Sequence, residues 1–135
     1  MVRAFEVRTT GQGLELITAR VQALVTESGI TEGLCTVMIR HTSASLVVQE
    51  NADPSARVDL ERWFKRLVPE GDPQFTHTTE GDDDMPAHIK AALTSTSVSV
   101  PIVGGRLALG RWQGIYLWEH RRRGSVRECV MHMGA

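Results

Sequence analysis

Apolar positions along this chain recur at two spacings, and each predicts its own kind of element. Ile17, Val21, Leu24 and Val25 fall on one face at helical spacing, which predicts a helix over 18–28. Gly29 stops it, because glycine takes the left-handed conformation past a helix end without a Cβ penalty. Asn51-Ala52-Asp53-Pro54 opens a second helix: a carboxylate caps free N–H groups and proline fits the first turn. The stripe Ala56, Leu60, Trp63 and Leu67 carries that helix to Pro69. A third follows the acidic run 82–84, with Asp84 as cap, Pro86 in the first turn, and Ile89, Ala92 and Leu93 turned to the core.

Shorter runs predict strands. Residues 3–9 read as an edge strand, Gly11 and Gly13 as a turn, and 33–40 as a buried strand. Leu46-Val47-Val48 is expected as the hairpin partner of that strand, and 69–81 as a loop. Val98–Val103, a Gly104-Gly105 turn, 107–109, 115–119 and 126–131 complete the pattern. Helices scattered through the first part and glycine-punctuated strands in the last predict an α+β fold, a largely antiparallel sheet with about three helices.

The 135 residues fit one domain over 1–135, large enough for a core without staples. A net charge of −1 gives no basic excess for a nucleic-acid backbone, so no nucleic-acid partner is expected. The run Asp82-Asp83-Asp84 and the cluster Arg121, Arg122, Arg123 and Arg127 each read first as solvated loops. Cys35 and Cys129 lie in apolar runs outside any CxxC, which predicts two reduced, buried thiols. No apolar run approaches the ~20 residues of a membrane helix. The first residues, Met-Val-Arg-Ala-Phe-Glu, lack a signal-peptide apolar region, so a cytoplasmic protein is expected.

Three of the five histidines stand among polar or acidic neighbours: His41, His77 and His88. Histidine is the usual acid–base group and metal ligand near neutral pH. None of the three matches a local zinc spacing, so a site has to assemble in space. Each also has a structural reading: His41 bonding a turn, His77 in solvent, His88 at the edge of a core-facing helix. Asp53 and Asp84 read equally as caps. Glu119 shares a strand face with Ile115 and Leu117, and the opposite face (Tyr116, Trp118, His120) is partly apolar, so the pattern leaves open which side is buried. Trp112, flanked by glycines, suits either stacking on a flat ligand or plugging a sheet bend. The turn between Arg121 and Arg127 suits phosphate contacts.

Three ordered segments carry a resemblance. They are His41-Thr42-Ser43-Ala44-Ser45-Leu46 with Glu50-Asn51-Ala52-Asp53-Pro54; Glu80 through Lys90, containing Asp-Asp-Met-Pro-Ala-His-Ile-Lys; and Gly105-Arg106-Leu107 through Gly110-Arg111-Trp112-Gln113-Gly114 to Glu119. Together they resemble the YjbQ family, the group named as secondary thiamine-phosphate synthases, over residues 33 to about 128. One position departs: Arg111 stands where the family usually has Thr. The resemblance implies a compact α+β sandwich, a homotrimer, and a side activity joining a pyrimidine pyrophosphate to a thiazole phosphate. It directs attention to His41, His88, Asp84, Lys90 and Glu119 as catalytic groups, and to Asn51, Trp112, Gln113 and Arg127 as contacts for a small phosphorylated substrate. Extending the motifs, His41, His77 and His88 are expected to share one pocket around a divalent metal, Zn or Mg. The alternatives are a metal-dependent hydrolase and a non-catalytic trimer that binds a small anionic ligand.

Overall fold

A computed structural model describes residues Met1–Ala135. Eight strands and three helices follow in the order β1 (Val2–Arg8), β2 (Gly13–Leu16), α1 (Thr18–Ser28), β3 (Glu32–Ile39), β4 (Ala44–Glu50), α2 (Pro54–Leu67), α3 (Asp84–Leu93), β5 (Ser97–Val103), β6 (Arg106–Leu107), β7 (Gln113–Glu119) and β8 (Val126–Gly134). The strands form a five-stranded sheet, β1-β8-β3-β5-β6, and a three-stranded sheet, β2-β7-β4, and every pairing is antiparallel. The fold is the α+β arrangement that the pattern predicts.

The main core lies between the two sheets. Val37, Ile39, Val100, Cys129, Met131 and Met133 from the large sheet meet Ala44, Leu46, Ile115 and Leu117 from the small one, with Val21 and Val25 of α1 closing the side. Each large aliphatic side chain buried there contributes roughly 1.5–3 kcal/mol. A smaller core on the far face of the small sheet gathers Leu14, Tyr116 and Trp118 with Phe64 and Val68 from α2. The small sheet is therefore the middle of three layers. This explains β7, whose residues Gly114 to Glu119 are all buried. Ile115, Leu117 and Glu119 face one core; Tyr116, Trp118 and His120 face the other.

Local signals hold at the helix ends. Gly29 closes α1 at φ 73°, and the Asp53 carboxylate accepts from the Ser55 N–H at the start of α2. Three expectations need correction. β4 is not the hairpin partner of β3: residues 40–43 carry the chain from one sheet to the other, so β3 pairs with β5 and β8 while β4 pairs with β7. In α2 the buried residue is Phe64, and Trp63 and Leu67 stay half exposed. In α3, Ala87, Lys90 and Ala91 face inward and Ala92 and Leu93 face out. The buried face of α3 thus carries Asp84, paired with Arg121, beside the small residues Ala87 and Ala91. The short strand β2 was not legible, since Gly-Leu-Glu-Leu offers no run of β-branched residues. No helix is long and apolar enough to cross a membrane.

Candidate functional site

The chain passes between the two sheets three times at one corner: residues 9–12, 40–43 and 120–125. These crossings are tied to each other. Thr9 N–H donates to Ser125 O at 2.9 Å, Ser125 N–H to Thr9 Oγ1 at 3.0 Å, Arg40 N–H to Glu128 O at 3.0 Å, and His120 N–H to Ser43 O at 3.3 Å. Gly124 lets two of them close: a Cβ there would stand 2.1 Å from Thr9 O.

Glu119 ends β7 inside this corner and is 1% exposed. Its Oε1 accepts from Thr9 Oγ1 at 2.6 Å and Arg127 Nε at 2.8 Å; its Oε2 accepts from Arg127 Nη2 and from Arg121 N–H. A buried carboxylate needs such saturation to stay charged. Both oxygens are thus engaged, and Glu119 is an anchor for Arg127 rather than a free proton carrier. Arg127 in turn donates to the Ser43 hydroxyl at 3.0 Å and the Ser43 carbonyl at 3.2 Å.

The acidic run and the arginine run, both expected in solvent, pair with each other. Arg121 Nε donates to Asp83 Oδ2 at 2.9 Å and Arg121 Nη1 to Asp84 Oδ1 at 2.7 Å. Burial works against the charge on Asp83, but Arg121 and the Arg122 N–H outweigh it and hold the carboxyl down at about 2. Asp83, not Asp84, stands at the N-terminal cap of α3, and its side chain makes no cap bond. Asp84 is the first helical residue and is 1% exposed. Its second oxygen, Oδ2, meets His77 Nε2 at 2.8 Å and His88 Nε2 at 3.2 Å. The helix brings Asp84 and His88 together, since residues four apart share a face; the loop before it delivers His77.

The protonation of His88 can be argued from its partners. Nδ1 stands 2.9 Å from the Thr42 carbonyl, which only accepts, so Nδ1 carries a proton. In the neutral ring Nε2 is then a lone pair facing the Asp84 carboxylate, two acceptors toward each other. A proton or a metal cation between them resolves the contact. One ligand atom each from His77, Asp84 and His88 lies within 4.8 Å of the other two. Two imidazole nitrogens and a carboxylate oxygen, with the outer nitrogen of one ring tied to a carbonyl, are donors of the kind that divalent transition metals take. His77 is half exposed, which leaves the open side toward solvent.

The structure divides the remaining expected site residues. His41 is outside the three-ligand group: its Nε2 accepts from Glu128 N–H at 2.7 Å and its Nδ1 lies 3.3 Å from Arg127. Burial first, then Arg127, holds it below the usual histidine range. Asp84 takes the place in the group that the sequence pattern assigned to His41. Lys90 points away into a separate cavity against α2, and burial lowers its pKa. Asn51, Trp112 and Gln113 lie at the opposite end of the β4–β7 ladder, where Glu50 pairs with Gln113 while Ala44 pairs with Glu119 at the corner. At ~3.4 Å per residue, six residues separate the two groups by about 20 Å within one chain. Thr9 was missed, and Asp83 and Arg121 were named only within their charged runs, not as partners of each other. The complementary signs of the runs 82–84 and 121–123 were the available signal.

Comparison with known proteins follows the same lines. The profile of the UPF0047 protein YjbQ-like family matches residues 3–134. A UPF0047 protein from Synechocystis is 54% identical over 127 residues, covering 94% of this chain and 86% of the relative. The UPF0047 protein YjbQ of Escherichia coli O157:H7 is 42% identical, covering 88% of this chain and 86% of that one. Among solved structures, a YjbQ/UPF0047 family protein from Clostridium acetobutylicum superposes with a TM-score of 0.88 at 32% identity, over 98% of this chain and 99% of that one. A conserved hypothetical protein from Thermus thermophilus gives a TM-score of 0.87 at 36% identity, with 98% and 99% covered.

Proposed function

The chain belongs to the UPF0047 protein YjbQ-like family, and from that premise we propose that its corner is a divalent-metal centre working on a small phosphorylated substrate. The observation that carries this reading is the convergence of one ligand atom each from His77, Asp84 and His88 within 4.8 Å of one another. Imidazole donors favour zinc or a neighbouring transition metal over magnesium, which prefers oxygen ligands. Beside the group, Ser43, Arg121, Arg123, Gly124, Ser125 and Arg127 line a solvent-open hollow without a hydrophobic wall. Arginines there suit phosphate oxygens, which they grip with paired N–H groups.

The specific reaction proposed is the one the resemblance implies, joining a pyrimidine pyrophosphate to a thiazole phosphate. A bond forms from the thiazole nitrogen to the pyrimidine methylene carbon, and pyrophosphate leaves with the C–O electron pair. The nucleophile brings its own lone pair and loses no proton in that step. A site rich in cations whose one buried glutamate is already engaged fits this demand. A bound metal would supply positive charge for the leaving pyrophosphate. Arg121 holds Asp84 in place, the Thr42 carbonyl fixes the His88 ring, Arg127 braces the corner through Glu119 and Ser43, and the exposed Arg123 presents N–H groups to the phosphates. A second reading, a metal-dependent hydrolase, draws on the half-exposed His77 edge, which leaves coordination positions for water.

The test is metal content of the purified protein beside a His77→Ala, His88→Ala double variant, followed by assays with both phosphorylated partners. The expected result is about one metal per chain, lost in the variant together with coupled product. Metal retained by the variant ends the metal-centre reading. Phosphate release without coupled product moves the assignment to the hydrolase. The homotrimer is part of the same proposal, and a sedimentation mass equal to one chain removes it.

A further inference from the structure

Lys90 is the least expected group in the molecule. It sits in the last turn of α3 with 5% of its surface exposed, and its ammonium has no hydrogen-bond or salt-bridge partner, the carboxylates of Glu70 and Asp83 acting on it only from a distance. No sealed side-chain nitrogen or oxygen in the protein lacks a partner, so the unpaired Nζ opens onto space. That space is a cavity of about 130 Å³ between α2, α3 and the outer face of the small sheet. Its walls include Phe64, Trp118, Glu61 and His120, and Arg62 and Lys65 stand exposed at its edge.

His120 adds a second donor. It is 1% exposed, and burial is the first of the causes that push it down to about 3, so the ring is neutral. Its Nε2 lies 2.9 Å from the hydroxyl of Ser45, which is fully buried and has no other partner. A buried hydroxyl proton left without an acceptor costs more than an unused lone pair, so Ser45 donates to Nε2. The remaining proton of the ring is then on Nδ1, which has no partner in the protein and reaches the same cavity. Glu61 gives one oxygen to the Leu14 N–H at 2.8 Å and keeps the other free at the wall, and Glu119 is committed to Arg127. The unpartnered N–H donors of the lining are those of Lys90 and His120.

We propose that this cavity is a binding site for a small anion, a carboxylate or phosphate group, held by Lys90 Nζ and His120 Nδ1 and drawn in past Arg62 and Lys65. A buried cation without a partner is costly, and an anion with two convergent donors answers it. The basic edge raises the local anion concentration. The site is distinct from the metal group, because the anchored Glu119–Arg127 pair stands between this cavity and the arginine-lined hollow. It does not depend on the proposed reaction.

The experiment is an NMR titration that follows the Lys90 ε-CH₂ and His120 ring signals with inorganic phosphate, with succinate, and with sodium chloride at matched ionic strength. The expected result is a saturable shift of both signals with phosphate or succinate but not with chloride; whichever saturates at lower concentration identifies the anion. In Lys90→Met the His120 shift should need about tenfold more anion or more. The His77→Ala, His88→Ala variant should keep it. Equal shifts with chloride, no saturable shift in the wild type, or an unchanged His120 titration in Lys90→Met overturns the proposal. Should Lys90→Met fail to fold, the wild-type comparison against chloride decides alone.

Discussion

The two ends of the β4–β7 ladder carry equally recognisable sequence, and they do different work. At the Ala44–Glu119 end, Asp83, Asp84, Glu119 and Arg127 are nearly buried and each has at least two polar partners. At the Glu50–Gln113 end, Asn51, Trp112 and Gln113 are exposed, and their bonds go to main chain. Asn51 N–H donates to Trp112 O at 3.0 Å, Asn51 Nδ2 to Gln113 O at 3.2 Å, and Gly110 N–H to Gln113 Oε1 at 2.7 Å. Gly114 keeps this end tight, since a Cβ there would meet Leu16 and Asn51 within 3 Å. The Trp112 ring lies under the Arg111 guanidinium, 4.6 Å from its centroid, and does not plug a bend. One end organises charge; the other shapes a turn. In a single chain the Trp-Gln motif is therefore a backbone device, and its conspicuous side chain is the part that matters least to folding.

Variants at the two ends should separate accordingly. Arg127→Met strands the Glu119 carboxylate in the core and should cost about 3–5 kcal/mol, read from the denaturant midpoint. A cost below that at Gln113 would reverse the contrast. The pH dependence comes next. The folded-state pKa of His120 is about 3, and the unfolded value is about 6.5. Between these values the unfolded chain binds a proton that the folded one refuses. Stability is then complete above about pH 6.5 and falls as pH drops toward about 3, by up to about 1.4 kcal/mol per unit. His41, also lowered, adds to the slope, whereas Asp83 acts only below about pH 4. Denaturation at pH 7 and pH 5 should show a loss of about 2 kcal/mol, reduced in His120→Gln. Gln113→Ala removes one acceptor from the Gly110 turn and should cost about 1 kcal/mol in the same assay. Trp112→Ala should stay within about 0.5 kcal/mol, and a larger loss would show that the exposed ring is packed against something in solution.

Elements whose signals are local were legible. α1 stands on its stated bounds because a helical stripe ends at a glycine, and α2 begins at Asp53-Pro54 because capping is a matter of adjacent residues. What failed depended on contacts far apart in sequence. The turn-like stretch His41-Thr42-Ser43 looks the same whether it makes a hairpin or a crossing between sheets; only the partner strands decide. β7 hid its role because burial on both faces erases the period of two. The candidate site was half legible: His77, His88 and Asp84 were each picked out, Asp84 both as a cap and as a catalytic group, but the ligand's role went to His41. Neither Arg121 meeting Asp83 nor Glu128 N–H occupying the His41 ring could be read before residues 38 and 87 positions apart were brought together.

The place of β8 has a consequence in time. The strand formed by residues 126–134 lies between β1 and β3, so the large sheet closes only when the latest strand in chain order slots between two much earlier ones. Until then β1 has no neighbour and β3 shows an open ladder edge, a state that invites pairing with other chains. Pairing of this kind, at separations near the whole chain length, makes slow nucleation the expectation and leaves a growing chain with Asp83 and Asp84 unpaired until Arg121 has been added. The corner is thus completed late in chain order, because Arg121 and Arg127 must arrive before Asp83, Asp84 and Glu119 can pair.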